Sequence, residues 1–250
     1  MNILEHLDAI ILAAGRGTRM KATEKNKVMY EIAGTPMISF PVRALQKLGV
    51  KKPIVVIGFV RESVQAYLKD DVRYAIQEKT EGTADAVRVA MPSLLTDATD
   101  VIVLYGDHSA FYTAEVLATL VEHHRESNAA MTLITTNVDS PTGYGRILRD
   151  LNGDMTGIVE EKNATDEEKK ITEINTGNAI YKRDFLEQYL PKIERNAISG
   201  EFYFTDIVSL GFTHHEKIET FVVEDAAFGM GVNTPEQLQI AEEEMKRRGM

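Results

Sequence analysis

Asp8-Ala9-Ile10-Ile11-Leu12-Ala13-Ala14-Gly15-Arg16-Gly17-Thr18-Arg19-Met20 runs from an unbroken apolar stretch into a loop of glycines and arginines. The apolar part is short, β-branched and uninterrupted, the pattern of a central parallel strand buried on both faces. Gly15 and Gly17 allow a sharp turn that brings bare N–H groups against an anion. Two better-known glycine signatures do not fit. A dinucleotide fingerprint needs a small residue where this chain has Met20. A Walker A loop needs four residues between its glycines and a Lys-Ser/Thr ending, which Gly17-Thr18-Arg19 does not supply. What remains is either an ordinary surface turn with solvated arginines or a phosphate loop in which Arg16 and Arg19 clamp a triphosphate bidentately.

Charge favours the second. The chain has 38 acidic and 28 basic residues, a net charge of -10, yet Arg16, Arg19, Lys21, Lys25 and Lys27 crowd one segment. A local cationic cluster in an acidic chain implies a local anionic ligand, and the overall acidity argues against nucleic acid. The length, 250 residues at 44 % hydrophobic, suffices for one sizeable core, or a main domain with a small lobe. Cysteine is absent, Met1–Leu12 has no signal-peptide pattern and no apolar stretch would span a bilayer. The expectation is a cytoplasmic protein without a membrane partner. The adjacent pairs His123-His124 and His214-His215 do not share a helix face, so zinc chelation is not expected and both read as surface residues.

Along the chain, apolar strands alternate with helical patterns: strand Ile10–Ala13, helix Pro36–Leu48, strand Ile54–Ile57, helix Glu62–Leu68, strand Val72–Ile76 and a helix from Thr83. Strand Val101–Tyr105, helix Ala114–Arg125 and strand Met131–Thr135 follow. The fold class is therefore α/β, a three-layer Rossmann-like arrangement on a mostly parallel sheet. Ligands in such sheets sit beyond the carboxyl ends of the strands, so Gly15–Arg19, Gln77–Thr83 and Gly106–Asp107 should converge on one crevice. After Thr142 the pattern turns to Gly-punctuated alternating strands, Tyr144–Arg149, Met155–Glu160 and Glu173–Tyr181, expected to form an antiparallel lid or second lobe. A single domain results, with a nucleotide part over about 1–140, a lobe over about 141–225 and a final helix over about 234–248. Pro235–Arg247 reads as that helix, with Asn233 or Thr234 as cap and Pro235 in its first turn.

Two further loops carry chemistry. Gln77-Glu78-Lys79-Thr80-Glu81-Gly82-Thr83 places an amide, able to donate and accept, where it would suit a pyrimidine's carbonyl and imide N–H, while Gly82 would let a base lie against backbone. A polar loop capped by Thr83 explains the same residues. Tyr105-Gly106-Asp107 displays a carboxylate beside the cationic loop, either as a turn residue or as a ligand for a hard divalent ion such as Mg²⁺. Asn233 is an ordinary cap unless its amide oxygen reaches that ion.

In combination these segments are more specific. Gly15-Arg16-Gly17-Thr18-Arg19-Met20 with Lys27, Gln77 with Gly82-Thr83, Tyr105-Gly106-Asp107, Gly143-Tyr144-Gly145-Arg146-Ile147, Ile158-Val159-Glu160-Glu161-Lys162, Glu173-Ile174-Asn175-Thr176-Gly177, Glu201-Phe202-Tyr203-Phe204-Thr205-Asp206 and Gly231-Val232-Asn233 lie in order along nearly the whole chain. Together they resemble the sugar-phosphate nucleotidylyltransferases, above all the uridylyltransferase (pyrophosphorylase) half of the bacterial bifunctional N-acetylglucosamine-1-phosphate uridylyltransferases.

The resemblance implies transfer of UMP from UTP to N-acetylglucosamine 1-phosphate, releasing pyrophosphate and UDP-N-acetylglucosamine, a cell-wall precursor. It implies that Arg19 and Lys27 are catalytic, stabilising charge on the phosphates. It places Leu12, Ala14, Gly15, Gly17, Gln77, Gly82, Thr83 and Tyr105 around the nucleotide. Gly145, Glu160, Asn175, Tyr203 and Thr205 would line the sugar, and Asp107 with Asn233 would hold Mg²⁺.

Departures from the family pattern are expectations of their own. Asn26 stands where the family usually has Pro, so the loop should lose rigidity and leave Lys27 less well placed. Gly106-Asp107-His108-Ser109 replaces Gly-Asp-Val-Pro, with His108 expected to face solvent, and Asp85 occupies a position that relatives fill with His or Gly. The hexapeptide-repeat β-helix of the bifunctional enzymes has no counterpart here, so acetyl transfer is not expected and oligomeric state is left open. A thymidylyl- or cytidylyltransferase and a non-catalytic sugar-nucleotide sensor remain as other readings. Met20 disfavours a dinucleotide oxidoreductase.

Overall fold

The computed structural model describes residues 5–20, 24–108 and 110–249; Lys21 and Ser109 lie outside them. Strand β1, Leu7–Ala13, is buried at every position and sits inside the central sheet. Its two faces feed two cores. Ile10 and Leu12 join the apolar side of α3 (Thr83–Ala90), α5 (Arg183–Tyr189) and α6 (Asp206–Thr213). Ala9, Ile11 and Ala13 meet α1 (Ser39–Leu48), α2 (Arg61–Leu68) and α4 (Ala114–Ser127) on the opposite face. Three layers follow from one strand having no polar side.

The sheet order is β11-β7-β10-β6-β1-β4-β5, with β4 at Ile54–Ile57, β5 at Arg73–Ile76, β6 at Asp100–Tyr105, β7 at Met131–Asn137, β10 at Glu173–Lys182 and β11 at Ile218–Val223. Strands β5, β4, β1 and β6 are parallel, and β10 runs antiparallel between β6 and β7. The alternating pattern of β10 predicts a place in a separate lobe. The strand lies instead in the main sheet, where Ala179, Ile180 and Tyr181 are buried. The hairpin of β8 (Arg146–Arg149) and β9 (Met155–Val159) stands off, joined to β10 through Arg146 and Ile174. A register shift between Asn175 and Ala179 breaks the β10–β7 ladder where the chain passes the crevice.

Smaller differences have local causes. Pro36 does not open a helix: it pairs with Glu31 in a short hairpin of β2 (Glu31–Ile32) and β3 (Thr35–Pro36), and α1 begins at Ser39. The final helix α7, Pro235–Arg247, is capped by Thr234, whose hydroxyl accepts from the Gln237 N–H. This leaves the Asn233 side chain free of capping duty. His124 is not a surface residue: it is 1 % exposed and its Nδ1 shares a 2.8 Å hydrogen bond with Thr132 Oγ1. Among the described residues no helix is long and apolar enough to cross a membrane.

Candidate active site

A cleft of about 810 Å³ opens along the carboxyl ends of the parallel strands. The three strand-end loops expected to converge do so, and every residue named above as catalytic, nucleotide-binding, sugar-binding or metal-binding lines it. Of the cationic cluster, Arg16, Arg19 and Lys27 line the cleft. Lys25 does not: its ammonium lies 4.7 Å from the Tyr30 ring centroid, a cation–π contact. Of the two glycines in the first loop, Gly17 is left-handed at φ 60°. Met20, which broke the dinucleotide fingerprint, is 5 % exposed and packs with Ile32, Met37, Ala241 and Met245, tying the loop to α7.

At one end of the cleft four side chains meet. Arg19 and Lys27 both donate to Asn233 Oδ1, at 2.9 and 3.0 Å, and Lys27 Nζ also pairs with Asp107 Oδ2. An ammonium held between a carboxylate and an amide oxygen marks the spot where hard oxygen donors converge on positive charge. Two protein oxygens with room for phosphate oxygens match the sparse protein ligation that Mg²⁺ accepts. Asp107 is itself braced. Asn178 Oδ1 accepts from the Tyr105 N–H at 2.7 Å, and its Nδ2 donates to the His108 carbonyl at 2.9 Å and to Tyr112 Oη at 3.0 Å. Sequence reasoning missed Asn178; its only signal was an amide immediately before the apolar run Ala179–Tyr181.

Asn26 does not loosen Lys27. It is 1 % exposed, and its Nδ2 donates to the Ala13 and Phe59 carbonyls at 3.0 and 2.7 Å. Its Oδ1 accepts from the Val28 N–H and its own N–H donates to Ser63 Oγ, both at 3.1 Å. The amide ties the Lys27 turn to the ends of β1 and β4, replacing ring rigidity with hydrogen bonds. His108 does not face solvent either. It lines the cleft, Nε2 donates to the Gly229 carbonyl at 2.8 Å, and burial holds its pKa below the ordinary histidine value.

On the nucleotide side, Gln77 is 4 % exposed and its Nε2 donates to the Gly82 carbonyl at 3.0 Å and to Asp85 Oδ2 at 2.8 Å. Gly82 is required by its neighbours. At φ 109° a Cβ would lie 2.4 Å from the Phe202 carbonyl oxygen. That approach is a pair of backbone bonds, Phe202 N–H to Glu81 and Ala84 N–H to Phe202, at 2.8 and 3.0 Å. The Phe202 ring lies between the Arg88 and Arg195 guanidiniums, 4.4 and 4.7 Å from its centroid. This clamp carries Tyr203 and Thr205 to the cleft wall. Thr83 accepts from the Phe204 N–H at 2.9 Å and hydrogen-bonds Tyr105, whose hydroxyl pKa burial pushes up to about 12.

On the opposite side, Asn175 N–H donates to the Gly145 carbonyl and Asn175 Oδ1 accepts from the Gly177 N–H, both at 2.9 Å. Arg146, 1 % exposed, pairs with Glu161 at 2.5 Å and donates to the Tyr144 and Ile171 carbonyls, fixing the 143–146 loop beside Glu160. The wall therefore offers a carboxylate, an amide and hydroxyls, groups that suit a polyol.

The chain is similar to known proteins. A family model described as nucleotidyl transferase matches residues 8–228. A protein named "Bifunctional protein GlmU" from Desulfotalea psychrophila is 39 % identical over 97 % of this chain and 71 % of its own length. Its namesakes from Geotalea uraniireducens and Exiguobacterium sibiricum are 40 % and 38 % identical over 98 % and 96 % of this chain. The chain spans about half the length of those two, 53 % of each. Among solved structures, one described as a glucose-1-phosphate thymidylyltransferase from Bacillus anthracis superposes with a TM-score of 0.77 at 22 % identity. It covers 95 % of this chain and 94 % of its own, a likeness of fold.

Proposed function

The chain belongs to the nucleotidyl transferase family, and from that premise we propose that it transfers UMP from UTP to N-acetylglucosamine 1-phosphate. A phosphate oxygen of the sugar phosphate attacks the α-phosphorus of UTP in line. The bond to the β-phosphate breaks, pyrophosphate leaves, and UDP-N-acetylglucosamine remains. The observation that carries this reading is the convergence of Arg19 and Lys27 on Asn233 Oδ1 with Asp107 alongside, at one end of a cleft also lined by Gln77, Glu160 and Asn175.

The attacking phosphate is already ionised, so alignment and charge neutralisation suffice and no general base is needed. Lys27 exchanges Asp107 for phosphate oxygens as substrate enters, and Arg19 swings from Asn233 onto the same anion. We assign Asp107 and Asn233 as holders of Mg²⁺, which would neutralise charge between the two phosphate groups when bound. Ala14, Gly15 and Gln77 serve the uracil, and Glu160 and Asn175 accept from and donate to sugar hydroxyls. A non-catalytic sensor would have no use for the full cation and oxygen set.

The test is pyrophosphate release from purified protein with Mg²⁺, UTP and N-acetylglucosamine 1-phosphate, run beside glucose 1-phosphate, CTP and dTTP. Rapid release with the first pair alone is the expected result. Release with another pair corrects the substrate, and none with any pair favours the binding-protein reading.

A further inference from the structure

Gln77 lines the cleft beside Gly82 and Thr83, and the orientation of its amide is not free. The Nε2 end of its carboxamide meets two groups, the Gly82 carbonyl at 3.0 Å and Asp85 Oδ2 at 2.8 Å. A backbone carbonyl has only lone pairs to offer, and so does an ionised carboxylate. Both must be met by N–H, so the NH₂ group is fixed there by the chemistry of its partners rather than by choice of rotamer. Both of its protons are then engaged, and what the side chain has left is Oε1.

We infer that Asp85 is a positioning residue for base selection: by holding the Gln77 NH₂ it makes Oε1 the group presented to the base, so the site takes a base with a ring N–H donor, the imide of uracil or thymine. This rests on the uridylyl-transfer reading and deepens it. Asp85 does not itself line the cleft; it stands in the first turn of α3, behind Gln77. Gly82 alone would leave one amide proton unpartnered and the side chain able to turn over. The carboxylate removes that freedom. Cytosine has a lone pair at the equivalent ring nitrogen and would set acceptor against acceptor, and a buried acceptor left without a donor is what a polar site uses to reject an analogue.

A plain alternative is that Asp85 serves only the positive end of the α3 dipole. Stability and selectivity separate the two. Equilibrium binding of UTP and CTP, and kcat/KM for each with N-acetylglucosamine 1-phosphate, are measured for the wild type, Asp85→Asn and Asp85→Ala, with thermal unfolding of all three as the fold control. The carboxamide introduced by Asp85→Asn can donate to Gln77 Oε1 and so turn the Gln77 amide over. The UTP:CTP ratio is expected to fall by about tenfold or more in Asp85→Asn and by less in Asp85→Ala, the scale of losing one directed hydrogen bond in a buried site. A dipole role would lower both nucleotides together and leave the ratio unchanged. An unchanged ratio with UTP still preferred overturns the inference alone. A wild-type preference for CTP or a purine triphosphate overturns both the inference and the uridylyl reading.

Discussion

The two ends of the central sheet each carry a carboxylate paired with a cation, and they are built differently. At the amino end, Asp8 is fully buried and both of its oxygens are engaged: Oδ1 accepts from the Ala9 N–H at 2.8 Å and from Arg73 at 2.5 Å, and Oδ2 accepts from the Leu95 N–H at 2.9 Å. At the carboxyl end, Lys27 and Asp107 are 13 % and 16 % exposed and open onto a cleft. Asp8 is finished by its neighbours. Among the described residues the side chains of Lys27, Arg19, Asp107 and Asn233 bond to one another, and the polyphosphate and divalent ion proposed above would compete for them. An ion pair marks a functional site here not because it is a pair but because both partners can be taken over by a ligand.

The contrast can be broken from either side. The largest effect should come from Asp8→Ala, which takes the carboxylate from Arg73, leaving it the Lys52 and Ser93 carbonyls, and removes a side-chain acceptor from the Ala9 and Leu95 N–H groups. A loss of about 3–5 kcal/mol is expected, read as a drop in the urea midpoint, with little change in KM of the remaining folded enzyme. Arg19→Ala should do the reverse. It should lower kcat by about 10²–10³, the scale of one preorganised electrostatic donor, with thermal unfolding nearly unchanged. Turnover within a few-fold of the wild type would remove Arg19 from the role given to it. Lys27→Ala should match it in kcat and also raise the Mg²⁺ concentration dependence, since the remaining charge must neutralise more.

Asn26→Ala falls between these extremes. It empties the amide contacts to Ala13, Phe59 and Val28 and should cost about 1–3 kcal/mol of stability, visible in a thermal melt. Asn26→Pro fits the backbone at φ -60°, ψ 148° but still loses these bonds and the one to Ser63, so it should not restore the midpoint.

The last effect is one of pH at the amino end. Burial depresses the His124 pKa from 6.5 to about 4, so between those values the unfolded chain binds a proton that the fold does not. Stability contributed by the neutral ring is present above pH 6.5 and is lost as pH falls toward 4, by roughly 1–3 kcal/mol. His124→Gln should flatten the melting temperature over that window relative to the wild type. Parallel slopes would show that other groups carry the acid sensitivity.

What can be read in the sequence is what is local. An unbroken β-branched run gives β1, a loop after it gives the cations, and Thr-Pro before a charged periodic stretch gives α7. Leu12, Ala14, Gly15, Gln77, Tyr105 and Asp107 are legible because they sit at or just beyond strand ends, where chain order and three-dimensional position coincide, whereas Asn175, Tyr203, Thr205 and Asn233 are legible only through the family resemblance. Features that depend on distant partners are not. The alternation in Glu173–Tyr181 is the same whether the strand joins a hairpin or slips between β6 and β7, and only the burial of Ala179–Tyr181 between two neighbours tells them apart. Strand β11 is not legible at all, because Glu219 and Thr220 interrupt its apolar residues on an edge of the sheet. Lys25 has the sequence context of a phosphate ligand, and Tyr30 claims it. Asn26 has the sequence context of a weakness, and Ala13 and Phe59, on other elements, supply the acceptors that make it a brace.

The most direct test of the account is a competition. The protein with Mg²⁺ is offered UTP, CTP, dTTP, ATP and GTP at equal concentration, together with N-acetylglucosamine 1-phosphate and glucose 1-phosphate, and the nucleotide sugars formed are identified by mass. The account predicts UDP-N-acetylglucosamine as the dominant product. A different nucleotide sugar in its place, or none while the protein is folded, would contradict it.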